Sequence, residues 1–311
     1  MHPVLFHIGS LIIPSYGAMA AIGALVALFV AQRTARMAGV DAAKMWNLCI
    51  ISMCAALVAE RLLLVAVNWS AIRSHPQWTP GLAMIHHPLV AGVGALAAAG
   101  AAAWYVRVRS MPALAAADAL AAPIAMGLAC EQMGALLAGS GYGTETTVPW
   151  AVIYTSPAAA LWSGTPLGVP LHPVQVYAAF AYLTLAVLLL AWLPVRRREG
   201  DIAGGCLLGM GAAIYVIELW RDPVGRGSNL KGALDGPQIA AVAMVILGAW
   251  ILRERKSSEP ASQQVIELAV EDAGSHPFHD EAVKRMGQPA LEDVSGIGSG
   301  HGTTKHGVLH E

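Results

Sequence analysis

Seven stretches of this chain are apolar for long enough to cross a hydrocarbon layer, and no other feature limits its fold so tightly. They run approximately over residues 16–34, 46–67, 89–106, 113–138, 173–194, 203–220 and 236–252. A bilayer core about 30 Å thick takes about 20 residues of helix. Inside that core each peptide group must find its hydrogen bond within its own segment, which selects helices over loops or open strands. Composition agrees, since only 13% of residues are charged, against about 25% in soluble domains. The predicted fold is all-α: a polytopic membrane protein with seven transmembrane helices over residues 1–253.

Basic residues in the connecting loops set the expected orientation. Arg33, Arg36 and Lys44 follow the first run, Arg107 and Arg109 the third, Arg196, Arg197 and Arg198 the fifth, and Arg253, Arg255 and Lys256 the seventh. The N-terminal segment and the loop 139–172 carry no lysine or arginine. The alternation predicts an N-terminus outside and a C-terminus in the cytoplasm. One loop dissents, because Arg221, Arg226 and Lys231 fall on the predicted outer side. Basic residues kept there against the rule point to an anionic ligand. Trp46, Trp69, Trp104, Trp192 and Trp250 lie near the ends of the runs, as an interfacial aromatic belt requires.

Several function classes drop out. A net charge of −1 gives no argument for nucleic acid. Cys49, Cys54, Cys130 and Cys206 lie in apolar stretches without a CxxC spacing, so neither a disulfide framework nor a zinc site is expected. No metal and no cofactor are expected. The N-terminus lacks a basic region and no convincing cleavage site follows the first run, which reads as a true span rather than a leader. From Glu254 to Glu311 the chain turns acidic and rich in glycine and serine, with His276, His279, His301, His306 and His310; it reads as a disordered cytoplasmic tail.

Ionisable residues at membrane depth are expensive, at least ~2.5 kcal/mol on insertion scales, and so mark function. Glu60 and Arg61 stand in the second run, Glu131 in the fourth and Glu218 in the sixth. With the expected orientation, all of them lie toward the outer end, where Tyr16 begins the first run and His172 the fifth. Gly134, Gly139, Gly141 and Gly143 then predict close helix approach and a non-helical exit from the fourth run.

These residues carry a resemblance. PSYGAMAAIG, AERLLLV, the long stretch LAAPIAMGLACEQMGALLAGSGYG followed by VPWAVIY, LHPVQVY and IELWRDP occur in the order and spacing of the prolipoprotein diacylglyceryl transferase family. The resemblance covers positions 1 to about 253. It implies a multi-pass enzyme of the bacterial inner membrane that moves the diacylglyceryl group of phosphatidylglycerol onto the cysteine thiol of a prolipoprotein lipobox. Its implied partners are therefore phosphatidylglycerol, membrane lipid and that lipobox segment. Tyr16, Glu131, His172 and Glu218 are the catalytic candidates. Arg61, Gln132, Gly143, Gln175, Tyr177, Arg221 and Arg226 are the candidates for binding substrate.

The chain also departs from the pattern. Where the family usually has Gly-Arg-x-Gly-Asn, this sequence reads Glu131-Gln132-Met133-Gly134-Ala135, and Ser140 replaces a glutamate. Ile214 stands for a second arginine, Ala178 for a glutamate, and Ala91-Gly92-Val93 for His-Gly-Gly, with His86 and His87 out of register. An amide can still hydrogen-bond a phosphate, but charge-assisted bonds are roughly twice as strong. The departures leave two other readings open: a paralogue with a changed acceptor or donor lipid, and a non-enzymatic lipid-binding accessory protein.

Overall fold

A computed structural model describes residues 2–8, 11–74, 88–223 and 235–253. Nine α-helices occur among them. They are α1 (Ser15–Met37), α2 (Ala42–Val67), α3 (Trp69–Ser74), α4 (Pro88–Val108), α5 (Ala113–Ala138), α6 (Pro157–Ser163), α7 (Val174–Trp192), α8 (Asp201–Glu218) and α9 (Gly236–Arg253). A 3-10 turn over Leu193–Val195 extends α7. Seven of the helices, α1, α2, α4, α5, α7, α8 and α9, are long and apolar enough to cross a membrane. The segment 254–311, expected as a tail, lies outside the described residues, as do His86, His87, Arg226 and Lys231.

The helix ends move where local chemistry acts. α2 begins four residues before the apolar run because Asp41 caps it, its carboxylate accepting from the amides of Ala43 (2.7 Å) and Lys44 (3.3 Å). α8 stops at Glu218, short of the expected 220, because the chain turns there to pair Arg221 with Gly143 in an antiparallel bridge. Short strands were not expected. β1 (Val4–Ile8) and β2 (Leu11–Pro14) form a hairpin ahead of α1, and β3 (Val152–Ile153) pairs with β4 (Pro170–Leu171) in the loop between α5 and α7. Two-residue strands are too short to show a period of two.

Packing runs opposite to a soluble protein. α5 is the hub, contacting α1, α7 and α8, while α2 pairs with α4 and α8 with α9. The buried face of α5 is made of small residues, among them Ala115, Ala119, Ala122 and Ala129, whereas Leu25, Phe29, Leu62, Leu96, Phe180 and Leu188 point outward. Lipid tails solvate large apolar groups as well as protein does, so close backbone approach through small residues decides which faces meet.

At the bundle end opposite Tyr16 a buried ion pair fastens four segments. Asp118 on α5 is 1% exposed. Its carboxylate accepts from Arg196 Nη1 at 2.6 Å and from the amides of Gly200 (2.7 Å) and Ala203 (2.8 Å), which open α8. Arg196 Nη2 also donates to the Ala38 carbonyl just past α1, at 2.9 Å. A residue from another helix thus caps α8, whose own N-cap, Gly200, has no side chain for the task.

Candidate functional site

Tyr16 lies in the first turn of α1 and meets α5. Its hydroxyl donates to Glu131 Oε1 at 2.6 Å, and Gln132 Nε2 donates to Glu131 Oε2 at 2.7 Å. Gly134, three residues along α5, makes room for this contact. A Cβ there would stand 2.8 Å from Met19 Cβ and 3.2 Å from Tyr16 Cα, so only glycine lets α1 come this close. Glu60 on α2 packs against Gly94 of α4 and lies within electrostatic reach of Tyr16. Arg61, beside it, is exposed. A phenol and an amide thus donate to the two carboxylate oxygens of Glu131.

The exit from α5 organises the second group. Gly139 caps the helix with φ 83°, and Gly141 follows at φ 60°, so the chain leaves in a left-handed turn. The Gly139 carbonyl accepts from Thr165 Oγ1 at 2.7 Å, and the Leu136 carbonyl from Tyr154 Oη at 3.1 Å. Tyr142, Tyr154, Ala159 and Leu171 make a small core of their own beneath the loop. Burial pushes the Tyr154 phenol up to about 12. Tyr142 is raised as well, first by burial and then by the charge of Asp222.

Gly143 is wedged between two site segments. A Cβ on it would come within 2.7 Å of His172 Cβ and 2.9 Å of the Trp220 carbonyl. The Thr144 amide donates to Trp220 O and the His172 amide to Thr144 O, each at 2.9 Å. This puts His172, ahead of α7, beside Arg221, beyond α8. Arg221 Nε donates to Glu218 Oε1 at 2.8 Å and Nη1 to the Gly141 carbonyl at 2.7 Å, with both side chains largely buried. Gln175, 1% exposed, donates to the Ser140 carbonyl at 2.8 Å.

Between α7 and α8 lies a cavity of about 750 Å³ lined by Trp150, His172, Tyr177, Ala181, Ala212, Ala213, Val216, Ile217 and Trp220. Its walls are apolar apart from one end. There Trp150 Nε1 donates to Tyr177 Oη at 2.7 Å, and that hydroxyl stands 3.3 Å from His172 Nδ1. An indole nitrogen only donates, so the Tyr177 hydrogen can go to Nδ1. Neutral His172 then carries its own proton on Nε2.

The residues picked out from sequence therefore fall into clusters at one end of the bundle. Tyr16, Glu131 and Gln132 occupy the α1–α5 seam. His172 and Tyr177 close the cavity, while Gln175, Gly143, Glu218 and Arg221 build the loop framework beside it. Arg226 lies outside the described residues. Two participants were missed. Tyr182, buried on α7, stands within electrostatic reach of Glu131, Glu218 and Arg221. It could have been found as the residue seven after Gln175, on the same helix face. Trp220 stood inside IELWRDP without being singled out. Asp118, at the opposite end of the bundle, also sat unnoticed in an alanine run. Among the described residues, no group of three or more His, Cys, Asp or Glu side chains is placed to hold a metal ion.

Comparison with known proteins agrees in extent and order. The family model for prolipoprotein diacylglyceryl transferase matches residues 3–253. A phosphatidylglycerol–prolipoprotein diacylglyceryl transferase of Clostridium tetani is 25% identical over 255 residues, 81% of this chain and 96% of the relative. Its counterpart from Photobacterium profundum is 26% identical over 267 residues, 83% and 94% of the two chains. One from Vibrio cholerae is 28% identical over 259 residues, 80% and 90%. Identity is low, but the family model covers the chain from its first strand to its last helix. This chain belongs to the prolipoprotein diacylglyceryl transferase family.

Proposed function

We propose that this protein transfers the diacylglyceryl group of phosphatidylglycerol to the thiol of a prolipoprotein lipobox cysteine, at the outer face of the bacterial inner membrane. In the reaction a sulfur–carbon bond forms at the glyceryl carbon bearing the phosphate. The carbon–oxygen bond there breaks, and glycerol phosphate leaves with the electron pair. The thiol, with pKa about 8.5, has to give up its proton. Glu131 takes it, directly or through Tyr16. Arg221 and Arg61, joined by Arg226, hold the phosphate. His172 donates its Nε2–H to the departing anion, where charge builds.

The observation that carries this reading is the largely apolar cavity between α7 and α8, with His172 and Tyr177 among its lining. A two-chain lipid needs that arrangement: room for a hydrocarbon tail, with hydrogen-bond donors only where the head group sits. Growth of a strain depleted of its own diacylglyceryl transferase tests it. Expression of this chain should restore viability and lipoprotein modification. Absence of rescue by a stably inserted protein would count against it.

A further inference from the structure

The Glu131–Gln132 pair has a direction. Both Glu131 oxygens accept, one from Tyr16 and one from Gln132. The Gln132 amide thus presents its NH2 to Glu131. The planar amide then turns its carbonyl oxygen the other way. Gln132 Oε1 is buried and has no hydrogen-bond partner among the described residues. A buried acceptor left in this state calls for a donor.

The surroundings say which kind. Two carboxylates, Glu131 and Glu60, stand within reach of Tyr16. With an amide oxygen added, Gln132 faces a group of acceptors that favours a hydroxyl or an ammonium.

We propose that Gln132 Oε1, oriented by Glu131, binds a hydrogen-bond donor on the lipid head group, a hydroxyl or an ammonium lying beyond the phosphate. The idea rests on the chain being a lipid-using transferase and adds what it selects. The phosphate goes to the arginines that hold it, and the donor beyond it is read at Gln132 Oε1. Gln132 is then a determinant of donor-lipid choice.

The test compares head groups on identical acyl chains, using the full-length protein in nanodiscs. Phosphatidylglycerol offers hydroxyls, phosphatidylethanolamine an ammonium, and phosphatidylmethanol a phosphate with no donor beyond it. At least one of the first two should bind about tenfold more tightly than phosphatidylmethanol, the worth of one good hydrogen bond. Which of the two wins separates hydroxyl from ammonium. Gln132→Met, close in shape but without the acceptor, should erase the preference, so that the three lipids bind alike. Equal binding of all three lipids to the parent protein, or a preference surviving in Gln132→Met, would overturn the proposal. If the variant fails to fold, the parent comparison alone decides. Binding is read without turnover, so a protein that discriminates head groups yet transfers nothing contradicts the transferase reading and leaves this one standing.

Discussion

Glu131, the proposed base, accepts two hydrogen bonds, at 2.6 and 2.7 Å. Replacing it with glutamine keeps the volume and removes the base. Glu131→Gln should lower the transfer rate by about 100-fold or more, the usual scale of a lost general base, with unchanged yield and melting temperature of the purified protein. Full activity in that variant would remove Glu131 from the reaction. Gln132→Arg should not raise the rate, because the new guanidinium would pair with Glu131 instead of the lipid phosphate. Gly143 gives a different test. Its Cβ would strike His172 and Trp220, so Gly143→Ala should cost about 1–3 kcal/mol of stability and lower activity by moving His172. At this scale the sequence named residues that the fold brings together and said little of what they touch. Tyr16 and Glu131 are 115 positions apart, and no pattern in the chain announces that a phenol meets the carboxylate. Gly143, named for binding substrate, is also packed between two segments.

Helices and loops respond to two buried groups that were not singled out from sequence. Asp118 joins α5 to α8, to Arg196 and through it to the end of α1. Removing one partner of a buried pair typically costs about 3–5 kcal/mol, so Asp118→Ala should sharply lower the melting temperature. Asp118→Asn, which can still accept from the α8 amides, should recover part of the loss. Equal stability of Asp118→Ala and the parent protein would show the network to be idle. In the outer loop, Tyr154 holds the Leu136 carbonyl. Burial favours its neutral phenol, so the stability it contributes is complete below pH about 10, where an unfolded tyrosine ionises. That contribution fades as pH rises through about 12. Ultraviolet titration of tyrosinate should show a late-ionising phenol in the parent protein that Tyr154→Phe lacks; identical titrations would contradict the burial. The seven long helices were legible because a bilayer demands about 20 apolar residues from each. β3, β4 and α6 were not, since elements of two to seven residues depend on the tertiary contacts around Tyr154 and Leu171.

Across the whole molecule the two ends of the bundle differ in kind. One gathers Tyr16, Glu131, His172 and Arg221; the other gathers Asp118, Arg196 and the basic loops. The distribution of lysine and arginine predicts that the first end faces outward. Single cysteines at Thr146 and Ser257, introduced into a cysteine-free background, should then react with an impermeant reagent from opposite sides of the membrane. Labelling from the same side would reverse part of the topology and with it the access of an exported substrate to His172. The most direct measurement, however, is of the transfer itself. Purified protein in nanodiscs is supplied with phosphatidylglycerol labelled in its acyl chains and a lipobox peptide with one cysteine. The account predicts label on the peptide, equimolar release of glycerol phosphate, and loss of both when the cysteine is replaced by serine. Lipid bound with no label transferred to any lipobox peptide would contradict it and leave a lipid-binding accessory protein in its place.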